Sequence, residues 1–73
     1  MQKHDHSPTL NTILMVESLL KNSKKALKIA EIKRKLPKKV HHYTLKTVLY
    51  YLEENKKISF SLEGVAWRFS DGN

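Results

Sequence analysis

The sequence predicts an α+β domain in which three helices are followed by a C-terminal β-hairpin. Three observations carry that reading. Apolar residues recur at helical spacing in three separate stretches between Thr9 and Asn55. From Ile58 onward they recur at every second residue, the period of a strand. Breaker residues stand at the joints: Asn22-Ser23-Lys24-Lys25, Pro37, and Glu63-Gly64.

Residues 1–8 are polar, end in Ser7-Pro8, and read as a loose tail. A first helix is expected from Thr9 to Lys21, where Leu10, Ile13, Leu14, Glu17 and Leu20 follow helical spacing and Val16 and Leu19 widen the apolar stripe. That stripe is broad for so short a helix and can serve both the core and a second subunit. Ala26-Leu27 is expected to form a very short strand. A second helix spans Ile29 to Leu36, with Ile29, Ile32 and Leu36 on one side, and stops at Pro37 because the residue before a proline is driven out of the helical region. Pro37-Lys38-Lys39-Val40 forms a turn. The third helix runs from His42 to Asn55, its buried face marked by Leu45, Val48, Leu49 and Leu52. In the hairpin, Ile58, Phe60 and Leu62 alternate with serines, and Val65, Trp67 and Phe69 alternate with Ala66 and Arg68. An isolated hairpin is marginal in water, so its aromatic face should lie on the helices, with Trp67 packed behind the third helix. Residues 70–73 are a tail.

Composition bounds the function. A chain of 73 residues makes one small domain with a thin core. It has no cysteine, which removes disulfides, thiolate zinc sites and a thiol nucleophile together. The longest apolar run, Ile13 to Val16, is far too short to span a bilayer, and the N-terminal residues lack the apolar core of a signal peptide, so a cytoplasmic protein is expected. The two glycines, Gly64 and Gly72, do not lead into a helix, and no Ser, His and acid arrangement fixes a nucleophile, so no enzyme and no cofactor are expected. His4 and His6 flank Asp5, and His41-His42 adds two more imidazoles. A structural metal needs about four ligands held by a fold, and these are too few or too close, so no metal is assigned.

Charge points to the partner. Ten of the fourteen basic residues lie between Lys21 and Lys46 against one acid, Glu31; that stretch therefore carries +9, and the remainder of the +7 chain sums to −2. A positive field fixed on a helical pair is what a duplex phosphate backbone attracts, so double-stranded DNA is the expected partner.

The stretch LKIAEIKRKLPKKVHHYTLKTVLYYLEENKKI, with its Leu-Pro turn, followed by ISFSLEGVAWRF with Gly-x-x-Trp, resembles the winged helix-turn-helix DNA-binding domains of prokaryotic regulators, most closely small archaeal members. The likeness covers residues 9–69. It implies that the third helix enters the major groove and that its first two turns read bases, which falls on His42, Tyr43, Lys46 and Thr47. His42 and Lys46 can reach base acceptors, Thr47 can donate or accept, and Tyr43 can bond a phosphate or lay its ring on a thymine methyl. Lys38 and Lys39 in the turn, and Lys24, Lys25 and Lys28 at the start of the second helix, are expected on phosphates. Arg68, alternating away from Trp67, is the best wing residue for a backbone or minor-groove contact. The wing tip carries Glu63 where the family often places basic residues, which argues for a small supporting wing. Protonation of His41 or His42 would add charge beside the phosphates.

The expected role is a small transcriptional regulator, a repressor or modulator associated with the nucleoid, acting as a homodimer through the first helix, with no small-molecule ligand evident. A winged-helix module that binds another protein is the competing expectation, suited by the acidic wing tip and Tyr50. Structured RNA fits less well, because a helix cannot read the narrow A-form major groove.

Overall fold

The computed structural model describes residues 8–68; the His4 and His6 cluster and Phe69 lie outside the described residues. Three helices, α1 (Leu10–Asn22), α2 (Ile29–Lys35) and α3 (His42–Glu54), precede two antiparallel strands, β1 (Ile58–Ser61) and β2 (Gly64–Trp67). This is the winged-helix layout, with the hairpin as the wing.

Each helix end has a local cause. Thr9 caps α1, its hydroxyl oxygen accepting from the Thr12 N–H at 3.1 Å. At the start of α2 the Glu31 carboxylate accepts from the Lys28 N–H at 3.0 Å, reaching back over the first turn. Leu36, before Pro37, has left the helical region at φ −66°, ψ 141°. At the end of α3 the Lys57 N–H reaches the Leu52 carbonyl and the Lys56 N–H the Glu53 carbonyl, both at 2.9 Å, which is a Schellman closure. Its left-handed position is held by Lys56 at φ 62°, where glycine is the residue without a Cβ penalty. Lys56→Gly is therefore expected to raise stability by about 0.5–1 kcal/mol, read as a higher midpoint in denaturant.

Glu31 makes the α2 start sensitive to acid. The Lys28 N–H, helped by the charges of Lys25, Arg34 and Lys35 against slight desolvation, holds its carboxyl below the ordinary value near 4.5. A carboxyl depressed in the folded state adds stability that is complete above its unfolded value and is lost as pH falls through the folded one. The stability gap between the parent and Glu31→Gln should accordingly be constant near neutrality and shrink below pH 4.5, as thermal melts across that range would show.

The hairpin register pairs Ile58 with Trp67 and Phe60 with Val65, so these four side chains share one face. The strand expected at Ala26-Leu27 is a single bridge: Leu27 exchanges both backbone hydrogen bonds with Val65, at 2.9 and 2.7 Å. That bridge ties the α1–α2 connection to the wing. Gly64 makes the approach feasible. Its φ is +131°, and a Cβ there would overlap the Leu27 carbonyl and sit 2.9 Å from the Lys28 nitrogen.

The sheet lies with β1 against α3 and β2 against α1. Trp67 is half-buried at the margin of the core, and the Lys21 ammonium lies 5.9 Å from its ring centroid. Its place is thus on the α1 side rather than behind α3, because β2 is the strand that α1 covers. Leu62 also departs from expectation. The strand ends at Ser61, which leaves Leu62 in the turn and 92% exposed.

The core consists of Val16, Leu20, Leu27, Ile32, Leu36, Leu45, Val48, Leu49, Leu52, Ile58 and Val65. Ile13, Met15 and Leu19 of α1 pack against it. Most of the wide α1 stripe is therefore core, and only Leu10 and Leu14 remain exposed for a second subunit. Glu17 keeps its place in the stripe through a 3.2 Å ion pair with Lys57, which joins α1 to the start of the hairpin. No helix among the described residues is long and apolar enough to cross a membrane.

Candidate nucleic-acid interface

Burial of Leu45, Val48, Leu49 and Leu52 fixes the rotation of α3 about its axis. Helical geometry then turns Tyr43 and Thr47 directly outward, with His42 and Lys46 on one flank. His42, Tyr43 and Thr47 are exposed. Lys46 is half-buried and borders a small cavity of about 30 Å³ with Ile29, Leu49, Tyr50 and Phe60, so it faces the junction of α2 and the wing.

The start of α3 is a cluster of rings. The Tyr43 ring stands edge-on to His42 with centroids 5.3 Å apart and tilted against His41 at 5.7 Å. His41 is the cap, its Nδ1 accepting from the Tyr43 N–H at 3.2 Å. A proton on that nitrogen would remove the acceptor and place positive charge at the positive end of the helix dipole. Thr47 donates its hydroxyl hydrogen to the Tyr43 carbonyl at 2.9 Å. Its outward oxygen can only accept, which suits an amino group of adenine or cytosine rather than a base acceptor.

The lysines expected on phosphates divide between the two ends of α2. At its C-terminal end, Lys38 and Lys39 are exposed in the turn, which Val40 pins to the core. Lys39 shares a surface groove with Ala30, Lys33, Arg34 and Val40. Lys33 and Arg34 thus join this basic cluster, a role that the sequence reading did not give them. The signal was available, since Ala30, Lys33 and Arg34 fall at i, i+3 and i+4 on α2. At the other end, about 10 Å away along the helix axis, Lys24 and Lys25 are exposed in the α1–α2 connection and Lys28 begins α2. The Lys28 ammonium donates to the Leu62 carbonyl at 2.8 Å, so one of its three donors is committed to holding the wing tip.

Arg68 is not brought to either cluster. Its N–H donates to the Lys57 carbonyl at 2.7 Å, placing it at the base of the hairpin, and its side chain borders a groove with Glu53, Glu54 and Lys56. That is the C-terminal end of α3, about 18 Å along the axis from His42, and two carboxylates there disfavour a phosphate. Among the described residues, no group of three or more His, Cys, Asp or Glu is gathered to hold a metal ion.

No protein-family model matches the chain, and no characterised protein or solved structure shows significant similarity to it.

Proposed function

We propose that this protein binds double-stranded DNA as a winged helix-turn-helix regulator of transcription, a repressor or modulator that resides with the nucleoid. The observation that carries the reading is the exposed polar start of α3, bearing His42, Tyr43 and Thr47, next to a turn whose groove is bordered by Lys33, Arg34 and Lys39. A helix with a polar outward edge fits the width of the major groove, and flanking cations hold it there through phosphates. In this reading His42, Tyr43, Lys46 and Thr47 read bases, with Thr47 acting as an acceptor. Lys38 and Lys39 carry the main phosphate contacts, aided by Lys33 and Arg34, while Lys24, Lys25 and Lys28 serve the opposite end of α2. Arg68 has no part in the interface. Leu10 and Leu14 on α1 supply the surface for a second copy, which would place two α3 helices on neighbouring half-sites.

Titration of a random-sequence duplex at increasing salt tests the proposal. Tight binding at low salt that weakens steeply is expected. Absence of binding at low salt would refute it and favour a protein-binding module, the reading supported by the exposed Leu62 beside Glu63 at the wing tip.

A further inference from the structure

The α3–wing junction carries an exposed aromatic pair that groove binding does not use. Tyr50 from the third turn of α3 and Phe60 from β1 meet with ring centroids 6.2 Å apart and planes at 63°. They are 55% and 40% exposed, although both are large apolar rings in a protein with a thin core. Between them lies the 30 Å³ cavity floored by Ile29 and Leu49 and edged by Lys46. Lys28, the residue before Ile29, holds its ammonium on the carbonyl of Leu62, two residues beyond Phe60. Glu63 at the wing tip is engaged by the Ser61 hydroxyl at 3.2 Å, whereas on the other flank of the pair Phe60 borders the groove of Glu53 and Glu54, so a strand laid on the rings is expected to run toward Lys46 and Lys28 and away from those carboxylates.

Two exposed rings set at an angle, with Lys46 at their edge and Lys28 held on the wing tip, match a particular chemistry. A nucleobase has a flat π-face to lay on a ring and a phosphate on either side for the ammonium groups. In B-form DNA those faces are covered by neighbouring base pairs, and only edges are offered in the grooves. The pair can therefore be used only by bases that have left the helix. We infer that Tyr50 and Phe60 form a stacking platform for an unpaired DNA strand, with Lys28 and Lys46 on its phosphates. This function goes beyond duplex reading and would direct the protein to melted, frayed or gapped DNA. It rests on the nucleic-acid reading above only for the role of the lysines.

The test compares three labelled oligonucleotides of about 15 nucleotides by fluorescence anisotropy at one salt concentration, a length that suits single-strand sites. They are oligothymidylate, an abasic deoxyribose-phosphate strand of equal charge, and oligouridylate. The whole chain should bind oligothymidylate at least about tenfold tighter than the abasic strand, since one stacked base supplies that much. Tyr50→Leu with Phe60→Leu should bring the ratio to about one by removing the π-faces while keeping apolar bulk. Equal affinity of the parent for the thymidine and abasic strands overturns the inference, as does an unchanged ratio in the folded double variant. Tighter binding of oligouridylate overturns the assignment to DNA. Should the double variant fail to fold, Tyr50→Leu alone gives the same comparison on the more exposed ring, and the parent ratio stands without any variant. A parent that binds duplex but shows a ratio of one loses this inference and keeps the groove reading; a parent that prefers oligothymidylate and ignores duplex does the reverse.

Discussion

Gly64→Ala is expected to destabilise the fold by about 3–5 kcal/mol, the sum of a left-handed backbone penalty and forced overpacking. Both parts come from one site. The backbone at φ +131° is a region that L side chains rarely adopt, and the new methyl would overlap the Leu27 carbonyl carbon and oxygen. Those atoms are backbone, so no rotamer change relieves the clash. Separation of the strands there would break the reciprocal Leu27–Val65 hydrogen bonds at 2.9 and 2.7 Å and release the wing from the α1–α2 connection. A domain this small is expected near the low end of the usual 5–15 kcal/mol range, so the loss would consume much of its stability. Thermal unfolding followed by circular dichroism should show a midpoint lower by more than about 10 °C. Leu62→Ala, two residues away but exposed at the turn, should change the midpoint little. A Gly64→Ala midpoint equal to that of the parent would mean that the Leu27–Val65 bridge does not hold the wing.

The second large effect concerns affinity. Replacing Lys38, Lys39 and Lys46 together by alanine is expected to weaken duplex binding by about two orders of magnitude near 0.1 M salt, because two phosphate contacts are lost with the counterions they release, together with the base contact of Lys46. Lys38 and Lys39 are exposed, and Lys46 is half-buried beside Tyr50 and Phe60, so none belongs to the core. The folded state should therefore persist, and a melt of the variant separates loss of contact from loss of structure. Arg68→Ala provides the contrast. Lying with Glu53 and Glu54 at the far end of α3, it should leave duplex affinity nearly unchanged.

Much of the fold was legible in the chain because period and punctuation agreed. The i, i+3, i+4, i+7 pattern of Leu45, Val48, Leu49 and Leu52 marked the buried face of α3, and all four are buried. Pro37 set the end of α2, and the alternation from Ile58 marked the hairpin. What remained hidden depended on how elements meet. Periodicity places Trp67 on the inward face of β2 but cannot say which helix covers that strand, and it proved to be α1. The same pattern put Leu62 inward because it could not show that the strand ends at Ser61. The broad stripe of α1 read as two surfaces, whereas one side of the core absorbs Ile13, Met15, Val16, Leu19 and Leu20. Charge density located the basic segment but not its division between the two ends of α2. Nor could it show that the Lys28 ammonium is turned to a carbonyl of the wing. Arg68 was placed outward correctly by alternation, yet outward at the base of the hairpin means beside Glu53 and Glu54.

The central claim is that the start of α3 and the lysine turn before it meet the phosphates of a DNA duplex. The slope of log affinity against log salt, measured on one duplex for the parent and for the Lys38, Lys39 and Lys46 alanine variant, tests it most directly. The expected result is a steep parent slope that becomes shallower by about 1.8 in the variant, or about 0.9 for each of the Lys38 and Lys39 phosphate contacts removed. Parallel slopes, with the variant folded and binding as tightly as the parent, would contradict it.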